Sequence, residues 1–264
     1  MKSYVPFTLI LPYKYSKCKY RQEALSKVVN CLMTQEFKEF ELIVTEYTDE
    51  EAMFPYKELA DKYIVSVCDK PFNKSWIVNQ AVKEASHNYV AILDADNLFG
   101  TNFTRLVAEF TKSYKVFQCA NRSYLQPGPD NPLERVINFN EKRALMGCWC
   151  ISKDVFWKVG GMNENYFGYG AEDNDMWIRA NELDKIQEMQ YNLTHSYHPW
   201  SQAPNERRLT LEVTTQYPKE VTQLLREASL GMEQPTVINI DSLIERLKEE
   251  YPDEYEAVTN TVDV

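Results

Sequence analysis

Three groups of residues in this chain have the types and spacing to do chemistry together. Asp94 and Asp96 flank Ala95 directly after the apolar run Tyr89-Val-Ala-Ile-Leu93. Carboxylates on alternate positions at the end of a strand can hold a hard divalent cation against phosphate oxygens. Solvated acids after a strand are also common, so this pair alone is a weak signal. The second group is Phe167-Gly-Tyr-Gly-Ala-Glu-Asp-Asn-Asp175. Gly168 and Gly170 bracket Tyr169, which lets the backbone bend tightly or lets a ligand approach. Glu172, Asp173 and Asp175 then crowd a helix start. There they serve either as ordinary partners of the helix dipole or as a general base for an attacking hydroxyl. The third group is His195 and His198, two of only three histidines. Imidazole beside carboxylates suits an Mn²⁺-like ion; a packed or solvated histidine is the plainer alternative, and it is the reading given to His87.

The elements that must position these groups follow from periodicity. Tyr4–Leu11 reads as a first strand ending at Pro12, and a basic, aromatic loop runs from Tyr13 to Arg21. A helix from about Glu23 places Leu25, Val28, Val29 and Leu32 on one face. Strands follow at Phe40–Thr45, stopping at Glu46, and at Tyr63–Val67, with a short helix over 55–61 between them. Asn73 caps a helix with Ile77, Val78, Ala81, Val82 and Ala85 inward. Tyr89–Leu93 is then a strand covered on both faces. This alternation with short connections predicts a mostly parallel sheet covered by helices, and such sheets bind ligands at the carboxyl ends of their strands.

Further on, Phe103–Lys112 reads as helix, Val116–Ala120 and Met146–Ile151 as strands, and 126–132 as a loop. A helix capped by Ser152 ends at Gly160-Gly161. A helix over Glu172–Leu183 turns Met176, Trp177, Ala180 and Leu183 inward, and Ile186–Thr194 is a last strand. Helices over 204–229 and 240–251 make an acidic appendage. The expected division is a catalytic domain over 1–200 and this helical appendage over 201–264.

Composition narrows the function. Apolar residues make up 44% and charged residues 26%, ordinary for a globular chain. The net charge is −10, of which −7 lies beyond residue 200. A broad electrostatic grip on nucleic acid needs a basic surface, so it is disfavoured. No apolar run is long enough to span a membrane. The N-terminal apolar stretch is short, broken by Pro12 and without a cleavage site, so the expected location is the cytoplasm. The six cysteines lie mostly in apolar runs and are expected to be reduced. Cys148-Trp-Cys150 lacks a zinc spacing.

Two stretches carry a resemblance to a known family. Pro71-Phe-Asn-Lys-Ser-Trp-Ile-Val-Asn-Gln-Ala-Val-Lys-Glu-Ala-Ser86, followed by Asp94-Ala-Asp96, resembles GT-A glycosyltransferases. It is closest to the β-1,4-galactosyltransferase and polypeptide N-acetylgalactosaminyltransferase-like group, and looser to the family 2 enzymes. Gly160-Gly-Met-Asn-Glu-Asn-Tyr-Phe-Gly-Tyr-Gly-Ala-Glu-Asp-Asn-Asp175 resembles that group's second, acidic signature. The resemblance covers roughly 5–200 and implies a Rossmann-like GT-A fold, a UDP-sugar donor and Mn²⁺ (or Mg²⁺). It implies that Pro12 and Arg21 belong to the nucleotide loop and that Glu46 sits where uridine is recognised. Asn73 and Lys74 lie near the nucleotide. Asp94 contacts ribose or metal, and Asp96 is the metal ligand. Asp173 is the catalytic base of inverting members, and Glu172, Tyr169 and Gly170 face acceptor or sugar. His198 is the metal-binding histidine, and His195 falls where a second ligand can sit. Lys74 stands for an Arg, Tyr169 for a Trp and Asn174 for an acid, so the chemistry carries over better than the sugar or the acceptor.

The function expected from the sequence is metal-dependent transfer of a hexose or pentose from a nucleotide sugar to an acceptor hydroxyl. The acceptor is a glycan, a protein or, as in phage-type enzymes, a modified base in DNA. A retaining outcome is the alternative if Asp173 cannot reach the acceptor. A nucleotidyltransferase would carry a glycine-rich loop after the first strand, which Pro12-Tyr-Lys-Tyr-Ser16 lacks. A non-catalytic sugar-nucleotide-binding module would have lost Asp96, Asp173 or His198, and all three are present.

Overall fold

A computed structural model of the protein describes residues 4–48, 51–68, 72–126, 135–138, 147–166, 172–196 and 249. Its elements run β1 (Phe7–Lys14), α1 (Lys19–Met33), β2 (Phe40–Thr48), a 3-10 turn (Lys57–Leu59), β3 (Lys62–Val67), α2 (Lys74–Glu84) and β4 (Tyr89–Leu93). They continue with β5 (Asn97–Leu98), α3 (Phe103–Phe110), β6 (Val116–Gln126), β7 (Arg135–Asn138), β8 (Cys148–Ser152), α4 (Lys153–Lys158), α5 (Glu172–Leu183) and β9 (Gln187–His195). The strands form one mixed sheet in the order β3-β2-β1-β4-β8-β6-β9-β5, with β7 added beside β6. β3, β2, β1 and β4 are parallel to one another, as the alternating pattern predicts. β8 inserts antiparallel between β4 and β6, and β6 runs parallel to β9.

β4 is covered on both faces because its side chains alternate between two cores. Ala91 and Leu93 join Leu9, Leu11, Leu25, Val28 and Val107 under α1 and α3. Val90 and Ile92 join Ile10, Val78, Ala81, Val82 and Trp149 under α2. Each fully buried aliphatic side chain contributes roughly 1.5–3 kcal/mol, so β4 is held in one register by packing on both sides. The inward faces expected of α1 and α2 are the buried ones. In α5 Met176 and Ala180 are buried, but Leu183 ends the helix and is 40% exposed.

Several element ends differ from the sequence reading. β1 runs through Pro12 to Lys14. The β1–β4 pairing spans only Thr8–Ile10, so Pro12 has a strand on one side alone and its missing N–H is tolerated. α1 begins at Lys19, taking in the end of the basic loop, and β2 continues through Glu46 to Thr48. β6 extends to Gln126 because β7 and β9 both pair with it. β5 is too short for any periodicity to show it, and β7 carried no strand signal against its loop-rich surroundings. The appendage helices over 204–229 and 240–251 lie outside the described residues, apart from Glu249.

All six cysteines are free thiols, four of them buried. Among the described residues no helix is long and apolar enough to cross a membrane.

Candidate active site

The carboxyl end of β4 sets the first carboxylates. β4 stops at Leu93, opposite Cys148 of β8. The Asp94 amide and the Asn97 side-chain amide both donate to the Gly147 carbonyl, at 3.1 and 2.8 Å. The Asn97 amide closes a turn onto the Asp94 carbonyl at 3.2 Å. These bonds place Asp94 and Asp96 on a rigid corner, at most ~7 Å of backbone apart.

β9 delivers the histidine to that corner. Asn97 of β5 pairs with His195, the last residue of β9, and the Ser196 amide donates to the Asp96 carbonyl at 2.8 Å. His195 Nε2 thereby comes to 3.4 Å from Asp96 Oδ2, with 9% of the His195 side chain exposed. A carboxylate and an imidazole side by side are a donor set that Mn²⁺-like ions accept. The third expected ligand, His198, lies outside the described residues, as do Tyr169 and Gly170. Among the described residues, no three His, Cys, Asp or Glu side chains group to hold an ion by themselves.

α2 and α5 complete the cluster. Lys74, the first residue of α2, sends its ammonium to Asp94 Oδ1 at 2.8 Å. The same Nζ lies 3.0 and 3.2 Å from the two Asp173 oxygens and 3.8 Å from Glu172 Oε1. The two acidic motifs therefore converge on one lysine. Burial works against the Lys74 charge, but Asp173, Asp94 and Glu172 together hold it firmly protonated. The Asp173 carboxyl is pushed up to about 8 overall: enclosure raises it most, Lys74 pulls it down, and Glu172 and Asp94 push it up. Three carboxylates share one ammonium, and the surplus negative charge favours a further cation.

The acidic helix start is held by Arg179 and Asn79, which the sequence reading passed over. Asp175 is buried and paired with Arg179 one turn on, and Arg179 also donates to the carbonyls of Val159 and Gly161 at 2.6 and 2.8 Å. Burial raises the Asp175 carboxyl and Arg179 opposes that rise. Asn79, on the buried face of α2, donates to the Met162 carbonyl at 2.8 Å and accepts from the Met162 amide at 2.9 Å. It also donates to Glu164 Oε1 at 2.7 Å. An asparagine inside an apolar stripe was the available signal for this anchor, because a buried amide demands partners. For Arg179 the signal was its i,i+4 spacing from Asp175.

The other expected nucleotide residues are placed differently from one another. Asn73 caps α2, accepting from the Trp76 amide at 2.9 Å and donating to the Glu164 carbonyl at 2.6 Å. Its side chain is thus engaged in joining α2 to the loop before the acidic motif. Pro12 is buried inside β1, and Arg21 is half-buried in the first turn of α1. Glu46 is not brought to the site as an open carboxylate. It is wholly buried, accepts from the Met53 and Phe54 amides at 2.8 and 3.0 Å, and takes the Tyr63 hydroxyl as well. It organises the 51–54 loop from inside β2, which continues two residues past it to Thr48.

Comparison with known proteins places the fold and the family. The family model described as glycosyl transferase family 2 matches residues 16–160. The model described as the N-terminal domain of galactosyltransferase matches residues 137–199. No curated protein gives a match to the chain. Among solved structures, GalNAc-T7 with UDP, GalNAc and Mn²⁺ superposes with a TM-score of 0.57 at 11% identity, over 99% of this chain and 57% of its own. The chain thus spans little more than half of that structure's length. S. aureus TarS gives 0.54 at 13% identity, over 98% of this chain and 73% of its own. A Drosophila β1,4-galactosyltransferase 7 mutant with manganese, UDP-Gal and xylobiose gives 0.51 at 15% identity, over 77% and 75%. At such identities the likeness is one of fold, and that fold is GT-A. With more than half of its residues matched by the family model, the chain belongs to glycosyl transferase family 2.

Proposed function

We propose that this chain transfers a sugar from a UDP-sugar to an acceptor hydroxyl with inversion, assisted by a divalent cation. One observation carries the reading: Lys74 joins the Asp94 corner to the Asp173 helix start within hydrogen-bonding distance. Donor-side and acceptor-side carboxylates thereby face one space. Residues 1–200 are assigned to this catalytic unit and 201–264 to an appendage.

Asp96 and His195 would hold the cation, with His198 as the proposed third ligand; their oxygen and nitrogen donors fit Mn²⁺. When bound, the cation would neutralise charge on the departing diphosphate. Asp94 would orient the donor beside it, and Glu172 would hold a sugar hydroxyl. Asp173 accepts the proton of the acceptor hydroxyl as its oxygen bonds to the anomeric carbon. The bond from that carbon to the phosphate oxygen breaks, and the electron pair leaves with UDP. A carboxyl with a raised pKa suits this work, since a base functions best when its pKa lies near the working pH.

The test is hydrolysis of a panel of UDP-, GDP- and dTDP-sugars, with water as the acceptor, in Mn²⁺ or in EDTA. UDP release from a UDP-sugar that stops in EDTA supports the proposal. Nucleotide release unchanged by EDTA, or none from any donor, would contradict it.

A further inference from the structure

We propose that Lys74 is the positioning residue of Asp173: its ammonium, anchored on the donor side by Asp94, holds the base carboxyl in place and counters the negative neighbours that oppose its ionisation. The inference rests on the reading of Asp173 as the base.

The geometry of Lys74 is that of a group already saturated. An ammonium has three N–H donors. Three carboxylate oxygens lie at 2.8, 3.0 and 3.2 Å from Nζ, two from Asp173 and one from Asp94. Only 10% of the side chain is exposed. A lysine kept for donor phosphate would hold a donor open to the pocket; this one has none to spare without releasing a carboxylate. Its backbone is equally constrained. Lys74 follows the cap Asn73, which is bonded both to Trp76 and to Glu164. The helix start that carries the ammonium is thus tied to the loop that leads towards Asp173.

The electrostatics call for such a residue. Asp173 faces Glu172 on its own helix, Asp94 at the end of β4 and Lys74 on α2. Two of these three neighbours repel a negative charge, and enclosure repels it further. Among the described side chains Lys74 is the one that opposes them, so its removal would push the Asp173 carboxyl further up and leave less of it able to accept a proton at the working pH. Both Asp173 oxygens contact one ammonium, which also sets the plane of the carboxylate and leaves lone pairs for an acceptor hydroxyl.

The test follows the Asp173 carboxyl by ¹³C NMR in the full chain labelled with ¹³C-aspartate, its signal assigned by loss in Asp173→Asn. In the wild type it is expected to titrate near 8. In Lys74→Met the midpoint is expected to rise by about one pH unit or more, and in Lys74→Arg to return to within roughly half a unit of the wild type, since the charge is kept. Hydrolysis of the UDP-sugar that the donor panel identifies, with Mn²⁺, should lose about 100-fold in kcat in Lys74→Met, with part of that restored in Lys74→Arg. If Lys74→Met fails to fold, Lys74→Gln serves, because it removes the charge while retaining an N–H donor. An Asp173 midpoint unmoved by loss of the charge, or a raised donor KM with unchanged kcat, would overturn the proposal and make Lys74 a donor ligand. Undiminished hydrolysis by Asp173→Asn would instead remove Asp173 as base, with the NMR shift still standing.

Discussion

Alanine at Gly161 is expected to destabilise the protein well beyond alanine at its neighbour Gly160, and the difference can be worked from the structure. Both glycines have positive φ, 88° at Gly160 and 72° at Gly161. An L-residue in that region costs about 1–2 kcal/mol. At Gly160 a new Cβ meets nothing within 4 Å, so that cost is the whole effect. At Gly161 the Cβ would lie 3.0 Å from Asn79 Oδ1, 3.2 Å from Trp157 Cζ3 and 3.3 Å from Phe156 Cε1. Asn79 cannot yield freely, because its side chain holds both the amide and the carbonyl of Met162. Losing those two hydrogen bonds adds about 1 kcal/mol each. Gly161→Ala should therefore cost ~3–4 kcal/mol against ~1–2 for Gly160→Ala. The assay is urea unfolding of both variants and the wild type at pH 7, followed by tryptophan fluorescence. A difference below roughly 0.5 kcal/mol, within the scatter of additive effects, would refute the claim that Asn79 is a rigid anchor of this loop. The same variant should lower donor hydrolysis, since that loop leads into the acidic helix start.

Two pH effects follow from the carboxyl groups. As the proposed base Asp173 must be deprotonated to act, and its carboxyl is pushed up to about 8; kcat for donor hydrolysis should therefore rise through pH 8 and level off above it. A profile flat from pH 6 to 9 would dissociate Asp173 from the rate. Glu41 behaves oppositely. Burial opposes its charge, but Thr8, the Ser86 amide and hydroxyl, and Lys62 outweigh it and hold the carboxyl down at about 2. Because the folded pKa lies below the unfolded value of about 4.3, this stabilisation is fully present above that value and is lost as pH falls towards 2. It amounts to at most ~3 kcal/mol. Unfolding free energies at pH 5 and pH 2.5 should thus differ more in the wild type than in Glu41→Gln, and equal slopes would contradict the assignment.

The parallel half of the sheet was legible because its strands and helices carry strong, uninterrupted periodicity; Leu25, Val28, Val29 and Leu32 are buried as a set. The acidic start of α5 was legible for the same reason, its boundaries agreeing with the apolar positions Met176 and Ala180. What could not be read were features made by pairing between distant segments. β5 exists only because β9 lies beside it, and that pairing sets His195 next to Asp96. Lys74 reads in sequence as an ordinary first-turn residue; its encounter with Asp173 spans 99 positions. Glu46 shows the converse. Its place in the second half of β2 was readable, but its engagement by Met53, Phe54 and Tyr63 depends on a loop with no periodic signal.

The central claim is that Asp96 belongs to a cation site that serves a uridine diphosphate. Mn²⁺ binding measured by electron paramagnetic resonance, with UDP present, tests it most directly. The wild type should quench the free Mn²⁺ signal at concentrations at which Asp96→Asn leaves it, a loss of affinity of about tenfold or more. Equal quenching by the two proteins, or quenching that does not depend on UDP, would contradict the claim.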